Sequence, residues 1–249
     1  MPNEPIYQDQ ASFRTNGYVV IHDFLSGSEL KVLRQECDVL VKHAFEHLAM
    51  QGVAQTGWEV IQQGCIFESL PGKPRRLLAV DHDTYVQQRS LWPCCPSACK
   101  LLLGTKVTHL VAALLGCPSV NMHDCPRLFN DQYIVKPPGC VASGFAWHQD
   151  SDRCLEEAKG CSQYLSLWCA LDDMSQENGC LQVRTCAADE QAHDVKCLAV
   201  KAGTAIVMSD RLLHCSSANM SKYTRRAWMP QFTSKLLKIL APETISFTL

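Results

Sequence analysis

Apolar and polar positions follow two rhythms along this chain, helical in the first half and strand-like in the second. Residues Gln8 to Asn16 are polar and begin a short helix, and Gly17-Tyr18-Val19-Val20-Ile21 then reads as a strand, because β-branched and aromatic side chains fit a pleated, half-buried surface. Ser26 or Ser28 can cap a helix starting just beyond them. From Glu29 to about Met50, Leu30, Val32, Leu33, Val39, Leu40 and Phe45 recur near helical spacing, which predicts an amphipathic helix. Residues 51–83 are less regular and read as loops and short strands. A second helical stretch covers Cys99 to Leu115, with Leu101, Leu102, Val107, Leu110, Val111 and Leu114 on its apolar side and Gly116 as its stop.

After Gly116 the pattern shortens. Strands are predicted at Asn130–Lys136 (ended by Pro137-Pro138-Gly139), Tyr164–Leu171, Cys180–Val183, Gly203–Met208 and Thr224–Phe232. Many short strands with Gly and Asn turns predict a mainly β fold, a sandwich or barrel with helices packed outside. No repeat, low-complexity tract or linker interrupts the chain, so residues 1–249 read as a single domain.

Composition narrows the function classes. Hydrophobic residues make up 47% and charged residues 19%, with a formal net charge of -2, which excludes a disordered chain and gives no polyanion footprint. Nucleic acid is therefore not an expected partner. The cluster Lys73, Arg75, Arg76 is either a solvated turn or a contact for an anionic substrate. No stretch of 18 apolar residues occurs, so no membrane span is expected. The opening MPNEPIYQDQASF has no apolar run behind a basic one. With 15 cysteines and no CxxC pair, the simplest reading is free thiols in a reducing, cytoplasmic setting rather than a zinc site.

The sharpest chemical feature is Trp147-His148-Gln149-Asp150. On a strand, His148 and Asp150 point the same way, so an imidazole nitrogen and a carboxylate oxygen converge. His214, after the apolar strand 205–208, is the natural third ligand. Two histidines and one carboxylate fill one face of an octahedron and leave three positions open, the arrangement of non-haem Fe(II) oxygenases. A 2-oxo acid takes two of those positions and O2 the third. The far carboxylate of such a cosubstrate needs a partner, and Arg225, eleven residues past His214, offers the planar fork that matches it. Ser216 can add a hydroxyl. An HxD pair alone equally fits a buried histidine bonded to an aspartate. Asp152 shares the face of Asp150 if the strand continues, and Asp210 can cap a turn. His22, His43, His47, His82, His109, His123 and His193 read as structural or exposed, with pocket lining the lesser alternative for His82 and His123.

Four blocks in order, FRTNGYVVIHDFLS, DQYIVKPPG with FAWHQDSD, LSLWCALDDMSQENGCLQV and SDRLLHCSSANMSKYTRRAW, resemble the phytanoyl-CoA dioxygenase family of Fe(II)/2-oxoglutarate-dependent oxygenases. The resemblance implies a double-stranded β-helix (jelly-roll) core with flanking N-terminal α-helices. It implies His148, Asp150 and His214 as iron ligands and Arg225, preferred over Arg226, as the partner of the 2-oxoglutarate C5 carboxylate. It further implies Ser216 near that carboxylate, Trp168 lining the cosubstrate pocket, and Gln132 near cosubstrate or substrate. The activity implied is oxidation, most simply hydroxylation, of a C–H bond in a small organic molecule, with 2-oxoglutarate and O2 converted to succinate and CO2. Asp150 argues against halogenation, for which relatives lack this carboxylate. One departure is that NGCLQV runs into Arg184-Thr185-Cys186 where the family has a PGSH-like turn, which bears on the rim of the pocket and its lid. Trp147, Arg75, Arg76, Asp152 and Arg153 are candidates for framing the substrate. The competing expectations are a non-catalytic metal-binding β-domain, a protein- or peptide-modifying oxygenase of the same chemistry, and an iron oxygenase without 2-oxoglutarate. A monomer is expected over a homodimer.

Overall fold

The computed structural model describes residues 4–51, 60–62, 64–66, 96–102, 104–117, 126–153, 164–184 and 194–234. The N-terminal part supplies the helices. Helix α1 (Glu4–Asn16) begins earlier than its polar stretch implied and leads through Gly17, in the left-handed region at φ 75°, into strand β1 (Tyr18–Ile21). Helix α2 (Gly27–Gln51) starts at a capping box: Ser26 Oγ accepts from the Glu29 amide at 3.3 Å, and Glu29 Oε2 accepts from the Ser26 amide at 2.7 Å. Two short strands come next, β2 (Val60–Gln62) and β3 (Cys65–Ile66). The helix expected over 99–115 is two helices, α3 (Pro96–Leu102) and α4 (Thr105–Leu115), parted at Gly104. Gly104 has extended φ and ψ (-72°, 158°), which a continuous helix does not allow. Gly116 ends α4 in the left-handed conformation, as expected of a C-cap glycine.

The remaining elements are strands: β4 (Arg127–Lys136), β5 (Phe145–His148), β6 (Tyr164–Ala170), β7 (Leu181–Arg184), β8 (Val195–Leu198), β9 (Ala205–Ser209), β10 (His214–Ser216) and β11 (Arg225–Thr233). They form a seven-stranded sheet in the order β1-β9-β6-β11-β4-β3-β2 and a four-stranded sheet in the order β5-β10-β7-β8, antiparallel throughout. These facing sheets are the double-stranded β-helix, with the N-terminal helices flanking it. Three strands have no clear periodic signal in the sequence. β5 and β10 have four and three residues, too short for a period to show, and β8 is mostly exposed.

The large sheet is covered on both faces, so its central strands are apolar without a clean alternation. Along β6 all seven residues are buried. Leu165, Leu167 and Cys169 pack toward the helices with Leu33, Leu40, Val107 and Val111. Trp168 and Ala170 pack the other way, against Leu181 and Val183 of the small sheet. Polar bonds tie the helical layer down: Arg34 Nε donates to Leu171 O at 2.7 Å and the buried Tyr133 hydroxyl to Glu36 Oε1 at 2.9 Å. Seven described cysteines are free thiols, as expected, but Cys117 is in a disulfide and corrects that reading there. Pairing depends on the approach of Cα atoms, which sequence spacing does not show. Among the described residues no helix is long and apolar enough to cross a membrane.

Candidate active site

The site lies between the two sheets, and strand register assembles it. On β10, His214 pairs directly with His148 of β5, so two histidines far apart in sequence become cross-strand neighbours with ring centroids 4.3 Å apart. Each ring is held by the carbonyl two residues before it: His148 Nδ1 lies 2.8 Å from Ala146 O and His214 Nδ1 2.8 Å from Leu212 O. A carbonyl only accepts, so each Nδ1 carries the proton and each Nε2 presents a lone pair. Both Nε2 atoms face Asp150 Oδ1, at 3.7 and 3.9 Å.

Asp150 reaches this point by a route other than the expected one. Strand β5 ends at His148, and Asp150 opens a 3-10 turn, Asp150–Arg153. The Ser151 amide donates to Asp210 O at 2.8 Å and fixes that turn, so Asp210 serves through its backbone. Convergence of His148 and Asp150 therefore comes from a turn rather than strand alternation, and Asp152 does not continue a strand face. The Asp150 carboxylate divides its work. Oδ2 accepts from Ser166 Oγ at 2.8 Å and from Gln231 Nε2 at 3.3 Å, while Oδ1 is the oxygen nearest the histidines. Burial alone raises the carboxyl, but the histidines, when a proton occupies the Nε2 that otherwise faces the site, and the Ser166 bond outweigh it and lower it to about 2. The ligand atoms of His148, Asp150 and His214 lie within 4.8 Å of one another, and a hard carboxylate with two imidazoles is a donor set that fits Fe(II).

Beyond the triad lies a buried cationic cluster. Arg225 is 2% exposed, on the inward face of β11, and its Nη2 donates to Gly179 O at 3.1 Å. Its Nε and Nη1 have no hydrogen-bond partner among the described residues. Burial lowers its ordinary value to about 10, so the guanidinium stays charged at neutral pH. Arg226 alternates to the opposite face, where it pairs with Asp172 at 2.8 Å and Asp38 at 2.9 Å. Trp168 is buried with its ring centroid 5.8 Å from the Arg225 guanidinium carbon. Ser216 is buried two residues from His214, and Gln132 is half-buried opposite Met229 of β11.

Some residues expected from the sequence do not join this cluster. Trp147 alternates away from His148, is 36% exposed, and stacks under Arg184 at 4.9 Å. Arg75 and Arg76 and the side chains of Asp152 and Arg153 lie outside what the structure describes. Three inward-facing residues were missed: Ser166 and Gln231, which hold Asp150, and Lys136, 0% exposed and directly opposite Arg225. Their signal was parity. Gln231 shares the period of Arg225 on β11, and a lysine ending the apolar run Tyr133-Ile134-Val135 is out of place on a buried strand unless it has a partner.

Comparisons with known proteins agree with this geometry. The phytanoyl-CoA dioxygenase (PhyH) family model matches residues 13–184. The phytanoyl-CoA dioxygenase domain-containing protein 1 of Danio rerio is 23% identical, with 95% of this chain and 92% of that protein covered. In structure, the non-haem α-ketoglutarate-dependent carbocyclase SnoK of nogalamycin biosynthesis superposes with a TM-score of 0.64 at 18% identity, covering 91% of this chain and 83% of its own. EctD from S. alaskensis, solved with 2-oxoglutarate and 5-hydroxyectoine, gives 0.63 at 19% identity, covering 98% and 83%. With the family model matching most of the chain, the double-stranded β-helix formed and the two-histidine, one-carboxylate face assembled inside it, this chain belongs to the phytanoyl-CoA dioxygenase family of Fe(II)/2-oxoglutarate-dependent oxygenases.

Proposed function

We propose that this protein hydroxylates an unactivated C–H bond of a small organic metabolite as an Fe(II)/2-oxoglutarate-dependent dioxygenase, with 2-oxoglutarate and O2 converted to succinate and CO2. The observation that carries the use of 2-oxoglutarate is Arg225. A fully buried guanidinium with two unpartnered N–H groups is costly unless an anion joins it, and a carboxylate matches its fork. It stands on the same side as the triad, because Lys136, its partner across β4 and β11, bonds Ser216, two residues from His214 on β10.

In this reading His148, Asp150 and His214 hold Fe(II), which supplies the O2 chemistry when bound. Arg225 and Ser216 bind the distal carboxylate of 2-oxoglutarate, Trp168 walls the pocket beside the guanidinium, and Gln132 lies toward cosubstrate or substrate. Ser166 and Gln231 engage Oδ2 of Asp150, which leaves Oδ1 as the oxygen that would be offered to the metal. SnoK is a carbocyclase and EctD was solved with 5-hydroxyectoine, a hydroxylated molecule, so related scaffolds are associated with more than one chemistry. Hydroxylation is favoured here as the simplest outcome of a complete triad.

The test is succinate formation with Fe(II), 2-oxoglutarate and a panel of small metabolites, with and without O2, beside Arg225→Ala. Succinate that requires O2, rises with one metabolite and falls at least about tenfold in the variant is expected. Product mass then separates hydroxylation (one oxygen gained) from desaturation or ring closure (two hydrogens lost). Iron-loaded protein whose weak visible charge-transfer band fails to appear on anaerobic addition of 2-oxoglutarate does not use this cosubstrate.

A further inference from the structure

Lys136 is the least expected buried group in the molecule. It is 0% exposed at the end of β4, in register with Arg225, so two cations sit side by side on the face that looks toward the small sheet. No carboxylate of the described residues pairs with it. Its ammonium donates to Ser216 Oγ at 2.7 Å, to Ser217 O at 2.6 Å and, more weakly, to Ser216 O at 3.4 Å, and the Phe145 ring lies 5.2 Å away. In its protonated form the Lys136 amine has no lone pair, so Ser216 Oγ accepts from it, and an anionic carboxylate arriving beside it favours that form. The hydroxyl proton of Ser216 is then directed elsewhere, and no described group receives it. Arg225 Nε and Nη1 likewise have no acceptor. Three donors, one on β10 of the small sheet and two on β11 of the large sheet, are thus left without an acceptor among the described residues, and Lys136, which links the two strands, decides which way one of them points.

We propose that Lys136 is a positioning residue for the cosubstrate: by donating to Ser216 Oγ it turns that hydroxyl into an obligate donor to the distal carboxylate held by Arg225. This rests on the 2-oxoglutarate reading above. Lys136 does not touch the carboxylate itself in this arrangement; its charge reaches it through one hydroxyl. A preset donor costs no reorientation when the anion arrives, which is where the affinity comes from.

The experiment titrates Fe(II)-loaded protein anaerobically with 2-oxoglutarate and, separately, with 2-oxopentanoate, following the charge-transfer band. The second ligand chelates through the same two oxygens but lacks the distal carboxylate. Wild type is expected to bind 2-oxoglutarate the more tightly. Lys136→Met and Ser216→Ala should each weaken 2-oxoglutarate by about tenfold or more, the usual worth of a hydrogen bond to a charged group. Both should leave 2-oxopentanoate within about twofold, and the double variant should be no worse than the weaker single one, since both changes remove the same directed proton. Equal loss for the two ligands in Lys136→Met, or losses that multiply in the double variant, overturns the proposal. Ser216→Ala removes one oxygen and tests it even where Lys136→Met does not fold, because unchanged 2-oxoglutarate affinity there is decisive against it. Wild type that fails to prefer 2-oxoglutarate overturns the cosubstrate reading itself, and is thereby distinct from a wild type that discriminates while the variants match it.

Discussion

Asp150, Gln231 and Lys136 show how single side chains here are set by what surrounds them. Asp150 Oδ2 is occupied by Ser166 and Gln231, and Asn130 Nδ2 in turn donates to Gln231 Oε1 at 2.9 Å, so the carboxylate is braced from behind. Such outer partners commonly cost 10–100-fold in metal affinity when removed. Gln231→Leu is accordingly expected to weaken Mn(II) or Fe(II) binding by roughly tenfold, read by calorimetry on metal-free protein, with the fold intact by circular dichroism. At Lys136, burial and the adjacent guanidinium of Arg225 lower the amine from 10.5 to about 7. The unfolded chain keeps that proton up to its ordinary value while the folded chain releases it near 7, so across this window unfolding takes up a proton. Folded stability therefore gains with rising pH from this group. Denaturant midpoints of metal-free wild type and Lys136→Met, compared from pH about 7 to about 9, should show wild type gaining on the variant as pH rises. A constant difference would mean the amine titrates in the ordinary lysine range.

At the scale of elements, function depends on where strands begin and end. The turn before β7 carries Gly179, at φ 76°, whose carbonyl anchors Arg225. A Cβ there would collide with the Ser217 carbonyl oxygen. Gly179→Ala joins a disfavoured backbone conformation to that collision, and should cost about 2 kcal/mol or more in denaturant unfolding. Because Ser217 O also holds Lys136, the same change should weaken 2-oxoglutarate binding more than metal binding. The capping box that starts α2 is a local device by contrast. Ser26→Ala should cost about 1 kcal/mol of stability and leave metal affinity unchanged.

For the whole molecule, three layers serve one interior. The helices cover one face of the seven-stranded sheet, which frees its other face to line the site with Ser166, Trp168, Arg225 and Gln231. The site holds buried groups of both signs, with Asp150 facing the histidines and Arg225 beside Lys136, so ligands that complete their pairing stabilise the fold. With Fe(II) and 2-oxoglutarate at about 100 times their dissociation constants, mass action contributes about 2.7 kcal/mol per ligand. For a chain of this size that raises the melting temperature by roughly 5–10 °C, measurable anaerobically by scanning calorimetry. No shift with 2-oxoglutarate in the presence of metal would argue against the cationic cluster as its site.

Much of this was legible in the sequence, for a physical reason. The helix stops, the apolar strands and the facing of Arg225 against Arg226 come from local periodicity and turn chemistry. His148, Asp150, His214 and Arg225 stood out because their residue types serve few other purposes in that order. What tertiary structure alone decided is pairing across the chain: His214 in register with His148, Arg225 with Lys136, and Gln231 reaching Asp150 from another strand. It also decided that Asp150 sits on a turn and that Trp147 faces outward. Register is set by which faces of distant strands bury together, a non-local balance that local spacing does not contain. The sequence by itself thus specified which chemical groups this protein brings to its interior, and the packing of its two sheets determined which of them meet.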